Sequence, residues 1–165
     1  MVILISGCQK LTHIKYRDEP LCLKRTTPRR IVASLASQKV FLEEIHISRF
    51  FLSSDNDGYD IGSLVGFTNL KRLTLEQQIW SPHAILPPSL VEITFDICKT
   101  PIEPMATNLG NMKRDQILHR LQQISLKACN GQANVIMGVP TDNQDPQILD
   151  TAVETLRERL AMDGI

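Results

Sequence analysis

The side chains best suited to chemistry are four histidines, His13, His46, His83 and His119, and four cysteines, Cys8, Cys22, Cys98 and Cys129. Their spacing sets up no familiar reaction. The histidines stand far apart in sequence, and no Cys-x-x-Cys pair or Cys/His interval suits zinc, whose structural sites use close ligand pairs. The chain carries no G-x-S-x-G nucleophile elbow, no G-x-x-x-x-G-K-[ST] phosphate loop, no G-x-G-x-x-G and no H-E-x-x-H. The expectation is a protein that is not an enzyme and uses no metal and no cofactor. A hydrolase or transferase with a dispersed site stays open as a reading from another class. A deep pocket joining two of the histidines to a carboxylate would be its mark.

The elements that would position a site are clearer than the site. At 165 residues the chain is the size of one domain and can bury a sizeable core. With 42% hydrophobic and 22% charged residues and a net charge of zero, it has the composition of a folded globular protein rather than a disordered one. The overall balance gives no electrostatic signature for nucleic acid or membrane. Charge is nonetheless uneven, since residues 1–30 hold seven basic side chains against Asp18 and Glu19. No apolar run approaches a membrane span, and Met1–Ile5 is too short for a signal-peptide core. Scattered cysteines without a secretory signal point to free thiols in a reducing compartment, the cytoplasm or nucleus.

One pattern recurs. Leu90-x-x-Ile93-x-Phe95-x-x-Cys98 and Leu121-x-x-Ile124-x-Leu126-x-x-Cys129 match the leucine-rich-repeat core L-x-x-L-x-L-x-x-N/C. Its first half returns at Leu70-x-x-Leu73-x-Leu75, at Leu42-x-x-Ile45-x-Ile47 and, more loosely, at Leu11-x-x-Ile14-x-Tyr16. The intervals between leading leucines are 31, 28, 20 and 31 residues, so insertions separate the strands. Alternating apolar and polar residues put one side of each short strand into a core. The fold class expected is α/β: an irregular leucine-rich-repeat solenoid of short parallel strands alternating with helices or loops. Cys98 and Cys129 are expected to be buried at the turns.

Between the strands, Thr27-Pro28 reads as an N-cap and first helical residue, opening a helix that ends near Gln38. Asp60 is expected to cap a short helix over 61–67, and three prolines between Trp80 and Pro88 to force an extended connection. Thr100 and Glu103 are spaced as a capping box, with the following helix broken near Gly110. A short strand is expected over 135–137. The whole chain, residues 1–165, reads as a single repeat domain whose array begins inside a repeat, because the match at Ile3-x-Ile5-x-x-Cys8 lacks its leading leucine. The apolar face of Leu149, Ala152, Val153, Leu156 and Leu160 marks residues 145–163 as a C-terminal capping helix.

Stacked in register, these strands would line a concave face with their polar residues. The central column is Lys15, His46, Thr74, Thr94 and Ser125. The flanking columns are His13, Glu44, Arg72, Glu92 and Gln123, and Arg17, Ser48, Glu76, Asp96 and Lys127. The best candidates for partner binding are Lys15, His46, Thr74, Thr94, Ser125, Glu44, Arg72, Glu92, Glu76 and Asp96, with solvated strand positions as the plainer reading of any one of them. The basic run Lys24–Arg30 reads as a solvated loop entering a helix rather than a nucleic-acid patch, since no aromatic side chains interleave for base stacking.

The segments Gly66-Phe67-Thr68-Asn69-Leu70-Lys71-Arg72-Leu73 and Leu86-Pro87-Pro88-Ser89-Leu90 resemble, over roughly residues 27–130, the divergent leucine-rich repeats of fungal F-box-like proteins. That resemblance implies a non-enzymatic protein-recognition domain that recruits substrates to a ubiquitin ligase. The F-box that would dock on the SCF-type adaptor is expected to lie outside this chain, because residues 1–26 are strand-like. The alternative is a stand-alone or truncated scaffold repeat protein with no ligase role. In either case the protein partner is unknown from sequence, and neither nucleic acid nor membrane is expected.

Overall fold

The computed structural model describes residues 8, 10–17, 26–48, 60–81, 83–98, 103–128 and 134–138. Each half-apolar stretch is a strand, in the order β1 (His13–Arg17), β2 (Glu44–Ser48), β3 (Arg72–Glu76), β4 (Glu92–Cys98), β5 (Gln123–Ala128) and β6 (Asn134–Gly138). Helix α1 (Pro28–Ser34) joins β1 to β2, and helix α2 (Glu103–Arg114) joins β4 to β5. All six strands form one sheet in simple sequence order. Strands β1 to β5 run parallel and β6 returns antiparallel to β5.

The register follows from which side chains must be buried. Ile45, Ile47, Leu73, Leu75, Ile93 and Phe95 point to one side and are almost wholly excluded from solvent. A slip of one residue in any strand would turn its apolar set outward, so a covered face specifies the pairing strongly. Backbone bonds pin the strand entrances. The carbonyl of Thr12 accepts from Glu43 and Glu44 N–H, that of Glu43 from Lys71 and Arg72, that of Lys71 from Val91 and Glu92, and that of Val91 from Gln122 and Gln123. Each pairing therefore starts at the same level across the sheet.

The connections complete the core from the other side. Thr27 accepts from the Arg30 N–H at 3.3 Å and Pro28 opens α1, so that Ile31, Val32 and Leu35 pack inward. The next two connections bring in Ile61, Leu64, Phe67, Ile79, Ala84 and Leu86, and α2 adds Met105 and Leu109. Ser89 donates to the Leu70 carbonyl at 2.8 Å, tying the proline-rich connection to the turn before β3. Gly62 takes φ +72°, a left-handed conformation that costs a side-chain-bearing residue about 1 kcal/mol.

The architecture differs from the one expected from the pattern. The described residues form one α/β domain with a five-stranded parallel sheet and two helices, not a repeated leucine-rich solenoid. Among the described residues, two of the connections carry an α-helix, and β6 reverses direction. The physical reason for the misreading is that L-x-x-L-x-L reports a short strand with one covered side, which a parallel sheet needs whatever unit surrounds it.

Two local expectations also change. Asp60 caps no helix, since residues 61–70 are irregular chain and turns. It instead receives Arg29 Nε and Nη2 on one carboxylate oxygen and Nη2 on the other, at 2.7–3.1 Å. Gly110 does not break α2, which runs through to Arg114. The expected C-terminal helix over 145–163, Cys22, Cys129, Thr100 and residues 1–7 lie outside the described residues, as does the side chain of Cys98.

Candidate binding face on the sheet

The sheet face opposite the core carries the alternate residues of each strand, and these are polar. The registers place Lys15 beside His46, His46 beside Thr74, Thr74 beside Thr94, and Thr94 beside Ser125. One row over, His13, Glu44, Arg72, Glu92 and Gln123 align in the same way. In the third row, Arg17 pairs with Ser48 and Glu76 with Asp96. Neighbouring strands lie about 4.8 Å apart, so each row is a line of polar groups at nearly constant spacing.

The floor of this face is mostly shielded and its margins are open. Ser48, Glu76, Thr94 and Ser125 are buried, whereas Lys15, Arg17, Arg72 and Lys127 are exposed. Hydrogen bonds stiffen the row that runs from His13 to Gln123. Arg72 donates Nε and Nη2 to Glu44 Oε2 at 2.9 and 2.7 Å, and Gln123 donates Nε2 to Glu92 Oε1 at 3.3 Å and to Ser125 Oγ at 3.1 Å. Exposed pairs of this kind contribute at most about 1 kcal/mol, so they orient side chains more than they hold the fold.

The centre is different. His46 reaches across β3, its Nε2 lying 3.7 Å from Asp96 Oδ2 and 3.3 Å from Ser48 Oγ. The side chains of His46 and Asp96 are each only 19% exposed. Lys127 Nζ stands 3.2 Å from the other Asp96 oxygen, an ion pair out of hydrogen-bond alignment. An irregularity in the β4–β5 ladder between Phe95 and Cys98 falls at Asp96, and such bulges re-aim the side chains they carry. Burial lowers the proton affinity of His46, the charge of Lys15 lowers it further, Asp96 opposes, and Lys127 and Arg17 add to the lowering.

A serine, a histidine and an aspartate in contact invite comparison with a nucleophilic triad. That mechanism needs the base to hold the serine on one ring nitrogen and the acid on the other. Here Ser48 and Asp96 both face Nε2. The arrangement instead offers hydrogen-bond donors and acceptors fixed by their neighbours. Among the described residues, no three of the His, Cys, Asp and Glu side chains gather as a metal site.

Every candidate residue picked from sequence therefore lies on this one face. His83 and His119 lie off it, on exposed connections. The contact between His46 and Asp96 was not foreseen, because it skips a strand and joins residues 50 positions apart. Gln38 was missed as well. It is buried, donates to the Cys8 carbonyl at 2.9 Å and accepts the Leu11 N–H at 3.1 Å, which anchors the approach to β1. Its only sequence signal was an amide at the end of an apolar helix.

The F-box-type reading is overturned on two grounds. The fold is a single α/β domain rather than a repeat solenoid, so substrate recruitment to a ubiquitin ligase loses its structural basis, and the scaffold-repeat alternative falls for the same reason. Comparison of the chain with models of protein families, with curated proteins and with solved structures finds no match.

Proposed function

We propose that the polar face of the sheet is a non-catalytic binding face for an elongated polar ligand laid across the strands. The observation that carries this is the register: polar side chains of five consecutive parallel strands align, with exposed charges at the margins and a buried hydrogen-bonding floor. All-parallel sheets usually have both faces covered by apolar packing. A second face lined by Lys15, His46, Thr74, Thr94, Ser125 and their neighbours contributes little to a core and offers a ligand ordered donors and acceptors. The same geometry supports recognition over turnover, since His46 engages Ser48 and Asp96 through a single nitrogen. The exposed thiol of Cys8 suits work in a reducing compartment, the cytoplasm or nucleus.

The test is site-specific photo-crosslinking in extract of the cells that make the protein. A benzophenone amino acid at Lys127, on the margin of the face, is expected to capture a discrete adduct. The same group at Val65, exposed in the β2–β3 connection, is expected to capture none. Equal capture at both positions, or none at Lys127, would remove the proposal.

A further inference from the structure

The corner of the face formed by β1 and β2 differs from the rest in one respect. The other two described cations of the polar face have an acidic partner: Arg72 with Glu44 and Lys127 with Asp96. Lys15 and Arg17 are exposed, sit two residues apart on the same side of β1, and pair with no carboxylate among the described residues. Their neighbours across the ladder are His46 and Ser48, both with side chains able to donate a hydrogen bond. Asp96, engaged by Lys127 and His46, belongs to a strand about 14 Å from β1, three strand spacings away.

We propose that Lys15, Arg17, His46 and Ser48 form a subsite for a phosphate group carried by the ligand of the polar face. Two fixed positive charges match the charge of a phosphate near neutral pH. The guanidinium of Arg17 supplies a planar pair of donors and Lys15 a point charge, the usual division of labour between these side chains toward phosphate oxygens. The Ser48 hydroxyl and the imidazole of His46 lie beside them to take the remaining oxygens. The depressed proton affinity of His46 comes first from burial and then from Lys15, with Asp96 opposing and Lys127 and Arg17 adding to it, so the positive side chains of this corner act in the same direction as burial. This subsite rests on the reading of the sheet face as a binding face, and it adds the chemistry of one end of the ligand.

The test uses inorganic phosphate as the probe, with sodium chloride and acetate at matched ionic strength, followed by amide NMR of the whole chain at about pH 7.5. Phosphate is expected to produce saturable shifts confined to residues around Lys15, Arg17, His46 and Ser48. The Lys15→Gln/Arg17→Gln variant is expected to weaken that response about tenfold or more, as removal of two charge-assisted donors should. Lys71→Gln, which removes a cation already paired with Glu43, is expected to leave it unchanged. Shifts that do not saturate, that acetate reproduces at the same concentration, or that survive the double substitution would overturn the subsite. Such a result with intact capture at Lys127 would remove the phosphate inference alone, whereas loss of both would remove the binding face.

Discussion

Replacing Phe95 by alanine is expected to lower stability by about 3–5 kcal/mol, the usual range for emptying a buried aromatic position. Phe95 is fully excluded from solvent and lies in the middle of the sheet, paired in register with Leu75 on β3 and Leu126 on β5. Its ring meets the edge of Trp80 at 5.4 Å between centroids with the planes 89° apart, a geometry that adds about 0.5–1.5 kcal/mol beyond area burial. Parallel strands on both sides leave little room for the backbone to collapse into the vacated space, so most of the cavity should persist. Trp80 is the single tryptophan of the chain, so its fluorescence reports the contact directly. In urea titration the midpoint should fall with an unchanged slope, and the native emission of Trp80 should alter. Phe95→Leu, which keeps most of the volume, should cost clearly less. A loss below about 1 kcal/mol for the alanine variant would show that the β3–β5 interior is not packed as described.

The second large effect belongs to Gln38. Its amide is 3% exposed and serves two backbone groups of the segment leading into β1, the Cys8 carbonyl and the Leu11 N–H. Truncation to alanine leaves both without their partner, at about 1–3 kcal/mol for each group that stays shielded from water. The consequence should be local. In hydrogen exchange, the amides of β1 and of Glu43 and Glu44, which donate to the Thr12 carbonyl, should lose protection first, while those of β3 and β4 keep theirs. Gln38→Glu retains an acceptor for Leu11 but loses the donor to Cys8, and should fall between. Uniform loss of protection across the sheet would mean that β1 is not a separately anchored edge.

Much of the sheet could be read in the sequence, because alternation is a local signal. Ile45 and Ile47 bracket His46, and Leu73 and Leu75 bracket Thr74, which fixes both the strand and the side each residue faces. The helix start at Thr27-Pro28 was legible for a similar reason: capping depends on a few adjacent residues. What could not be read was how the strands are joined. The same leucine spacing suits a repeating solenoid and a single parallel sheet with unequal connections, and the difference lies in long-range packing by side chains such as Phe67, Ile79 and Leu86. Asp60 shows the limit at small scale, because its carboxylate is claimed by Arg29 from a distant helix before it can cap its own segment.

The candidate face was legible as rows of residues and illegible as contacts. Adjacent columns follow from register, but the reach of His46 over Thr74 to Asp96 depends on side-chain length, burial and the ladder irregularity beside Asp96. The special status of Lys15 and Arg17 was equally hidden. It emerges only once Arg72, Lys71 and Lys127 are seen to be paired while these two meet no carboxylate among the described residues.

Whether strand register builds a positively charged corner on the polar face is measured most directly by NMR titration of His46. The groups around its ring are Lys15 and Arg17 on β1, Ser48 on β2, Thr74 on β3, Asp96 on β4 and Lys127 on β5. Burial, with Lys15 next, holds its pKa below the ordinary value of 6.5. The unfolded chain therefore binds this proton more tightly than the folded one. The stability contributed by neutral His46 is complete above pH 6.5 and declines as the pH falls through that value toward the folded pKa. The expected result is a ring that titrates below 6.5 in the native protein and shifts upward in Lys15→Gln. A ring that titrates at or above 6.5, or that ignores the loss of Lys15, would contradict the charged corner and the assembly of the face by register.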